Sequence, residues 1–304
     1  MTADGAGNRS VEWAEGTPGG RAMDLCNAGV RWADAGHFRR WLHAVGNDNA
    51  KGEFYLTDVV DLAVAENAHV RAVEAAEEEL RGVNSRAELA QAEAALQQRL
   101  RAKAMDGGAT LVAPETVFLS TDTVLAPDVV VEPHVIFGPG VTVHEGASIR
   151  AFSHLEGCDV LPGAIIGPYA RLRPGTVVGP DARVGNFVEL KNATLGDGTK
   201  VNHLSYVGDA DVGAQTNIGA GTIVCNYDGT FKYHTDIGSN VFIGSDSVLV
   251  SPLTIGDNAL VAAGSTITSD VPADALAFGR ARQQNRDGYG KRFKDARRAK
   301  KENS

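Results

Sequence analysis

From Leu125 onward, apolar residues recur every six positions: "LAPDVV", "VEPHVI", "FGPGVT", "VHEGAS", then "IGPYAR", "LRPGTV", "VGPDAR", "VGNFVE", and later "IGSNVF", "IGSDSV", "IGDNAL", "VAAGST". Each unit usually follows its first residue with Gly or another small residue and carries a small or branched residue at its fifth position. The pattern predicts a parallel β-helix. The first residue of each hexad points to the axis, a Gly-containing corner permits the tight turn, and stacked coils bury an aliphatic ladder that no single coil could bury. With three hexads per triangular turn, roughly eight turns fit between Leu125 and Pro272. No comparable period precedes Leu125.

The departures from the period are local. "LPGAI", "LKNAT" and "VGDAD" supply five residues instead of six, which tightens a corner, whereas "TFKYHTD" (Thr230 to Asp236) is an inserted run that must leave the prism as a loop. Ahead of the prism, "SRAELAQAEAALQQRLRAKAMDGG" has Leu and Ala at helical spacing. It predicts a connecting helix of about 20 residues, with Ser85 as its cap and Gly107 as its stop. Met1 to Asn84 reads as short strands and helices of an α/β segment, too short to close a doubly wound sheet. "RDGYGKRFKDARRAKKENS" is strongly basic and reads as a solvated tail, or as an aid in holding a polyanionic ligand. The domains expected are therefore 1–84, a helix at 85–108, the prism at 109–280 and the tail at 281–304.

Composition narrows the function. The 304 residues carry 43% hydrophobic side chains, 35 Gly and 6% aromatics, so the core is built from small aliphatics. A formal charge of -9 argues against a chain that coats nucleic acid or an anionic membrane. The N-terminus has no apolar signal-peptide core and no apolar run is long enough to span a membrane, so a cytoplasmic protein is expected. Cys26, Cys158 and Cys225 are odd in number and widely spaced, which supports neither a disulfide framework nor a zinc site. His134, His144 and His154 do not share an edge of the six-residue frame, so a zinc site made of His is not expected either.

Outer positions of a prism are free to vary, and some of them carry chemistry. Arg173, Glu189 and Lys191, His203 and Tyr206, Asn217, and Asn226 with Tyr227 fall about one turn apart and are expected to line one side as a stacked row. Arg173 and Lys191 suit a phosphate. His203 is a candidate base, Glu189 a carboxylate to orient it, and Tyr206 and Asn217 can hydrogen-bond sugar hydroxyls. Taken singly, each is more often a solvated surface residue; their occurrence on adjacent turns is what argues for a site.

"GPYARLRPG", "VGNFVELKNA", "NHLSYVGDADVG", "NIGAGTIVCNYDG", "FIGSDSVLVSP" and "AAGSTIT" resemble the left-handed β-helix half of the bifunctional N-acetylglucosamine-1-phosphate uridyltransferase and glucosamine-1-phosphate N-acetyltransferase family, over about Leu125 to Arg280. "VEWAEGTP", "CNAG", "GEFYLTDVVDLA" and "GVNSRAELA" resemble, in order, the last third of that family's uridyltransferase domain. The resemblance implies a left-handed parallel β-helix preceded by a partial nucleotidyltransferase-like segment. It implies that Arg173 and Lys191 hold the phosphate of glucosamine-1-phosphate, Tyr206 and Asn217 the sugar, and Lys232 a phosphate. His203 would take the proton from the 2-amino group and Glu189 would support the imidazolium. Ala220, Asn226, Tyr227, Ser245, Ala263 and Arg280 match positions that contact acetyl-CoA, and the family places its substrates in clefts of a homotrimer.

In the first segment, Glu12 and Asn27 fall where the family holds the sugar nucleotide, and Asn84 where it helps bind Mg2+. The family's Gly-rich nucleotide loop and Asp metal partner have no counterpart here, so uridyl transfer by this chain alone, and Mg2+ with it, is not expected. Cys225 has no base paired with it, so direct attack on acetyl-CoA is expected rather than an acyl-enzyme. Three other readings stand beside acetyl transfer: a piece of the longer bifunctional enzyme, an inactive structural remnant, and a different hexapeptide acyltransferase. The last leaves "NHLSYVG", "CNYDG" and "GEFYLTD" together unexplained.

Overall fold

Parallel strands two to seven residues long repeat around an axis, and their alternation sends one side chain inward and the next outward. The result is a left-handed parallel β-helix of about nine turns. The structure is a computed structural model that describes residues 2–4, 7–9, 28–49, 51–76 and 79–302. The chain divides into two compact units, 1–96 and 97–304.

In the first unit, Thr2–Asp4 and Gly7–Arg9 pair as an antiparallel hairpin. Helix α1 (Ala35–Ala44) starts where the Asp34 carboxylate accepts hydrogen bonds from the Gly36 and His37 amides at 3.0 and 3.1 Å. It packs Trp41 against Val59 and Ala63 of α2 (Asp58–Ala65) in a small core. Trp32, Val73 and Phe54 of this unit stand 98%, 88% and 71% exposed, so it carries more apolar surface than its own core covers.

Helix α3 runs from Arg86 to Asp106. Ser85 Oγ accepts from the Glu88 amide at 3.2 Å and the Glu88 carboxylate accepts from the Asn84 amide at 2.6 Å, a reciprocal cap. At its other end the left-handed residue is Gly108 (φ 96°), one past the expected stop. Gly108 donates to Met105 and Ala109 to Ala104, which closes the last carbonyls. Gln97 exchanges two hydrogen bonds with the Leu119 backbone at 2.7 and 2.9 Å, and Arg101 donates to the Val117 carbonyl at 2.7 Å. The helix thereby plugs the start of the prism, with Leu100 and Ala104 on its core.

The first face of the prism is a 10-stranded sheet from Thr110–Leu111 to Leu276–Ala277. The prism thus begins two faces before Leu125, on the same coil: Thr110 and Leu111 pair in register with Val130 and Val131. A short 3-10 turn at Pro114–Thr116 hides this coil from the six-residue count. The second face buries Phe137, Leu155, Leu172, Leu190, Val207, Val224 and Leu249 in one inward column. Its outward column includes Ile136, His154, Arg171, Glu189, Tyr206 and Ile223.

Corners turn on left-handed residues. At the corner between the first and second faces these are His134, Phe152, Tyr169, Phe187 and Leu204, with φ between 52° and 61°. The four rings stack at centroid distances of 4.9, 4.9 and 5.2 Å, an attraction that offsets the backbone cost of the conformation. The corner between the second and third faces behaves differently where the repeat is shortened. Glu189–Leu195 and Tyr206–Val212 are single strands of seven residues that run through it, and they join the second and third faces into one 14-stranded sheet. Asn192 and Asp209, with φ of 45° and 49°, stand at that continuous corner. The five-residue units "LKNAT" and "VGDAD" therefore abolish a corner rather than tighten it, whereas "LPGAI" still separates two strands, Cys158–Val160 and Ile165–Ile166.

The inserted run leaves the prism between Cys225 and Thr235. It is tied by Asp228, whose carboxylate accepts from the Thr230 and Phe231 amides at 2.7 Å and from the Tyr233 hydroxyl at 3.0 Å. The basic tail, read from its composition as solvated, is helical as α4 (Tyr289–Glu302). Its Lys, Arg and Ala residues are good helix formers, and Arg297 lies over the Phe293 ring at 5.0 Å one turn away. No helix among the described residues is long and apolar enough to cross a membrane.

If the inward column carries the stability, Leu155→Ala should cost about 2–5 kcal/mol. His154→Ala, one residue away but outward, should stay within about 0.5 kcal/mol. Urea titration of both variants against the parent checks this.

Candidate functional site

Register sets where each candidate side chain stands. Arg171, Glu189 and Tyr206 are Cα partners on successive coils of the second face. Glu189 reaches down to Arg173 at 2.9 Å and to Arg171 at 3.7 Å. Lys191 pairs with Gly208, and since glycine has no side chain its ammonium lies over that position toward Asp209, at 3.2 and 3.4 Å from the two carboxylate oxygens. Lys232, carried by the inserted loop, meets it there. The Lys191 ammonium pulls the Lys232 pKa below the usual lysine range, and Arg173 adds to the effect. Three cations thus share one edge of the second face, a field that suits a phosphate.

Asp209 is absent from the row read in the sequence. It is 9% exposed and accepts from Asn192 Nδ2 at 2.9 Å, from Asn226 Nδ2, and from Lys191. Burial pushes its pKa up, but the hydrogen bonds from Asn192, Asn226 and Lys191, with the charge of Lys191, outweigh burial and hold it below the usual carboxylate range. Lys191 loses by desolvation and gains more from Asp209, so its pKa is raised.

His203 ends the first-face strand Lys200–His203 as the Cα partner of Asn186. Its Nδ1 lies 2.7 Å from Asn186 Oδ1. A carbonyl oxygen only accepts, so this contact selects the tautomer with the proton on Nδ1, in which the neutral ring presents its lone pair at Nε2. Glu189 was expected to orient this ring. Its carboxylate turns instead to Arg173 and Arg171, and the residue that orients the imidazole is Asn186. The ring lines a cavity of about 180 Å³ with Arg150, Arg183, Asn186 and Asn202.

The corner next to His203 forms a column. Leu204 donates to Asn186 O at 3.0 Å, Gly221 to His203 O at 3.2 Å, Asp246 to Ala220 O at 2.7 Å and Gly264 to Ser245 O at 2.8 Å. Asn186, His203, Ala220 and Ser245 therefore stand on successive coils, with Ala263 against Gly244 one coil on and Arg280 beside Gly264. The corner position that holds Phe152, Tyr169, Phe187 and Leu204 in the lower coils holds Gly221, Asp246 and Gly264 above His203. A bulky ridge gives way to a track of small side chains on the coil after the imidazole.

The expected single row is thus three groups. Arg173, Lys191 and Lys232 stand at the far edge of the second face; Glu189 and Tyr206 lie in its middle; His203 and the small-residue column lie at its near corner. Asn217 sits on the first face, paired with Lys200 and Phe242. Asn226 is buried beside Asp209, whereas Tyr227 is exposed and its hydroxyl donates to the Gly229 carbonyl at 2.6 Å. Glu12 and Asn27 lie outside the described residues. Asn84 is at the start of α3 with neighbouring Glu88 engaged in the cap, and no set of three acidic, His or Cys ligand atoms gathers around it among the described residues.

The family model for bacterial transferase hexapeptide (six repeats) matches residues 234–269. "Bifunctional protein GlmU" of Gluconacetobacter diazotrophicus is 68% identical over 302 residues, 99% of this chain and 66% of that relative. The protein of the same name from Acidiphilium cryptum is 63% identical over 284 residues, 93% of this chain and 65% of that relative. The chain belongs to the GlmU family. It spans just under two thirds of the length of these GlmU relatives. Among solved structures, LpxA from Acinetobacter baumannii is similar at 18% identity and a TM-score of 0.39, over 60% of this chain and 77% of that one.

The Asp209 pKa is lower in the folded chain than the ordinary value of 3.8, so its contribution to stability is present above that value and is lost as pH falls through the folded pKa. The melting temperature of Asp209→Asn should lie furthest below the parent near neutrality. The gap should close as pH drops below about 4, which thermal melts from pH 7 to pH 2 would follow.

Proposed function

We propose that this chain transfers the acetyl group of acetyl-CoA to the 2-amino group of glucosamine-1-phosphate, the acetyltransferase reaction of the GlmU family. The observation that carries the reading is His203, whose Nδ1–H is held by Asn186 while Nε2 stays free to take a proton at the coil where the corner track opens. An ammonium has no lone pair, so the amine must be neutral to attack. In the proposed step the amine nitrogen adds to the thioester carbonyl carbon, His203 Nε2 accepts the N–H proton, the C–S bond breaks, and the imidazolium returns that proton to the departing thiolate. Arg173, Lys191 and Lys232 would hold the phosphate. Glu189 keeps Arg173 extended, and Tyr206 and Asn217 would meet the sugar. Ala220, Ser245 and Ala263 leave room for a long thin thioester arm, with Asn226, Tyr227 and Arg280 beside it. Cys225 has no base in contact, which supports direct transfer.

The reading includes a homotrimer. The amine and phosphate of the substrate sit on adjacent ring carbons, yet His203 ends a first-face strand at the near corner of the second face, whereas Lys191 stands at that face's far edge. Asn217 faces off a different side again. A neighbouring prism that brings its corner against the far edge of the second face would let base and cations converge. A second reading, the inactive remnant, is favoured by the exposed Trp32, Val73 and Phe54 of the first unit.

Free thiol released from acetyl-CoA and glucosamine-1-phosphate tests the proposal. The parent should turn over and His203→Ala should lose about 10²- to 10⁴-fold. A folded parent without turnover would favour the remnant, and full turnover in His203→Ala would remove the base. Mixed, refolded His203→Ala and Lys191→Met chains should recover part of the activity that each alone lacks if the site is shared between copies.

A further inference from the structure

We infer that Asp209 is a positioning residue that ties the phosphate end of the proposed site to its acetyl-CoA end, an inference that rests on the acetyltransferase reading. Asp209 stands in a corner column between Asn192 and Asn226 and accepts a hydrogen bond from each. The fold does not require a charge there. Asn takes the left-handed backbone as readily as Asp, as Asn192 does one coil below with φ of 45°, and an Asn column could satisfy the corner without burying a carboxylate. Removing a charge from water is costly unless it is paired and hydrogen-bonded, so the carboxylate needs a reason beyond turning the chain.

The reason lies in what surrounds it. Lys191 is 19% exposed and donates to both Asp209 oxygens, so the carboxylate fixes an ammonium that Lys232 and Arg173 would otherwise repel. The same carboxylate fixes Asn226, whose backbone also opens the inserted loop by accepting from the Tyr233 amide at 2.9 Å. Asn226 and Lys232 are therefore held from one anchor, and the loop carrying Lys232 is oriented through it. Gly208 completes the arrangement: a Cβ there would lie 2.3 Å from the Tyr206 hydroxyl, so Tyr206 folds over the backbone next to Asp209. One buried charge thus sets the geometry of the phosphate cations and of the thioester-side amide.

Three variants of the full chain test this by kinetics and by calorimetric binding of CoA. Lys191→Met should raise KM for glucosamine-1-phosphate and leave KM for acetyl-CoA within about twofold. Asp209→Asn should raise both by about tenfold or more, because a partner of a buried charge pair is lost. In the double variant, where no charge is left unpaired and folding is protected, KM for the sugar phosphate should be no worse than in Lys191→Met while KM for acetyl-CoA and the CoA dissociation constant stay raised. Unchanged constants in a folded Asp209→Asn protein, or sugar-phosphate KM penalties that simply add in the double variant, would overturn the inference. An inactive parent would sink the acetyltransferase reading; CoA binding then decides the Asp209 inference, which falls if Asp209→Asn binds CoA as the parent does or if neither binds.

Discussion

Backbone hydrogen bonds between successive coils are the interaction on which the structure depends. Each strand finds its partners one coil above and one coil below, in register on all three faces, and the inward aliphatic column follows from that register. The height and direction of an outward side chain are therefore set by the coil length alone. A prism of this kind can place chemistry only at outward and corner positions, and can shift it only by changing how many residues a coil contains. The five-residue units and the inserted run are those changes, and the site gathers around them.

Electrostatics follows from this placement. Arg173 is matched by Glu189 and Lys191 by Asp209, so each of these cations is held in one orientation by a carboxylate that touches it. Lys232 arrives on the loop with its pKa depressed by Lys191. An incoming phosphate would relieve the repulsion among the three without having to order them, since the carboxylates and the loop have already fixed them. The loop in turn is held by Asp228, which accepts three hydrogen bonds.

Much of the fold was legible because the axis residues obey a strict count. The period of six marks Leu155, Leu172 and Leu190, all buried, and the Ser85 cap marks the start of α3. The first coil at Thr110 lies within the expected 109–280 prism but outside the six-residue count, because a 3-10 turn interrupts that count, and the helical form of the tail was not legible because its charge obscures its helix propensity. The site was legible in its residue types and less so in its contacts. A row of positions one turn apart does not tell which of two faces or a corner each occupies, so Asn217 and His203 were set beside Lys191 when the register separates them. Glu189 was assigned to the imidazole because a carboxylate is the usual partner of a catalytic His, whereas Asn186, one coil below His203, takes that place. Asp209 had a signal: it is the central residue of the five-residue unit "VGDAD", and Asn192 is the central residue of "LKNAT". A shortened repeat that places a charged residue where a corner should be is the pattern to look for.

The corner between the first and second faces shows how one architecture separates support from access. Below His203 the left-handed corner position carries stacked rings, which rigidify the prism and fill the edge. Above it the same position carries Gly221, Asp246 and Gly264, and the residues before them are Ala220, Ser245 and Ala263. The backbone path is the same in both stretches, since each corner residue donates to the coil beneath. Only side-chain volume changes, and it changes on the coil after the one that carries the imidazole. A bulky side chain at Gly221, the position that follows Leu204 in the column, would continue the ridge past His203 and narrow the track along which the proposed thioester arm would lie.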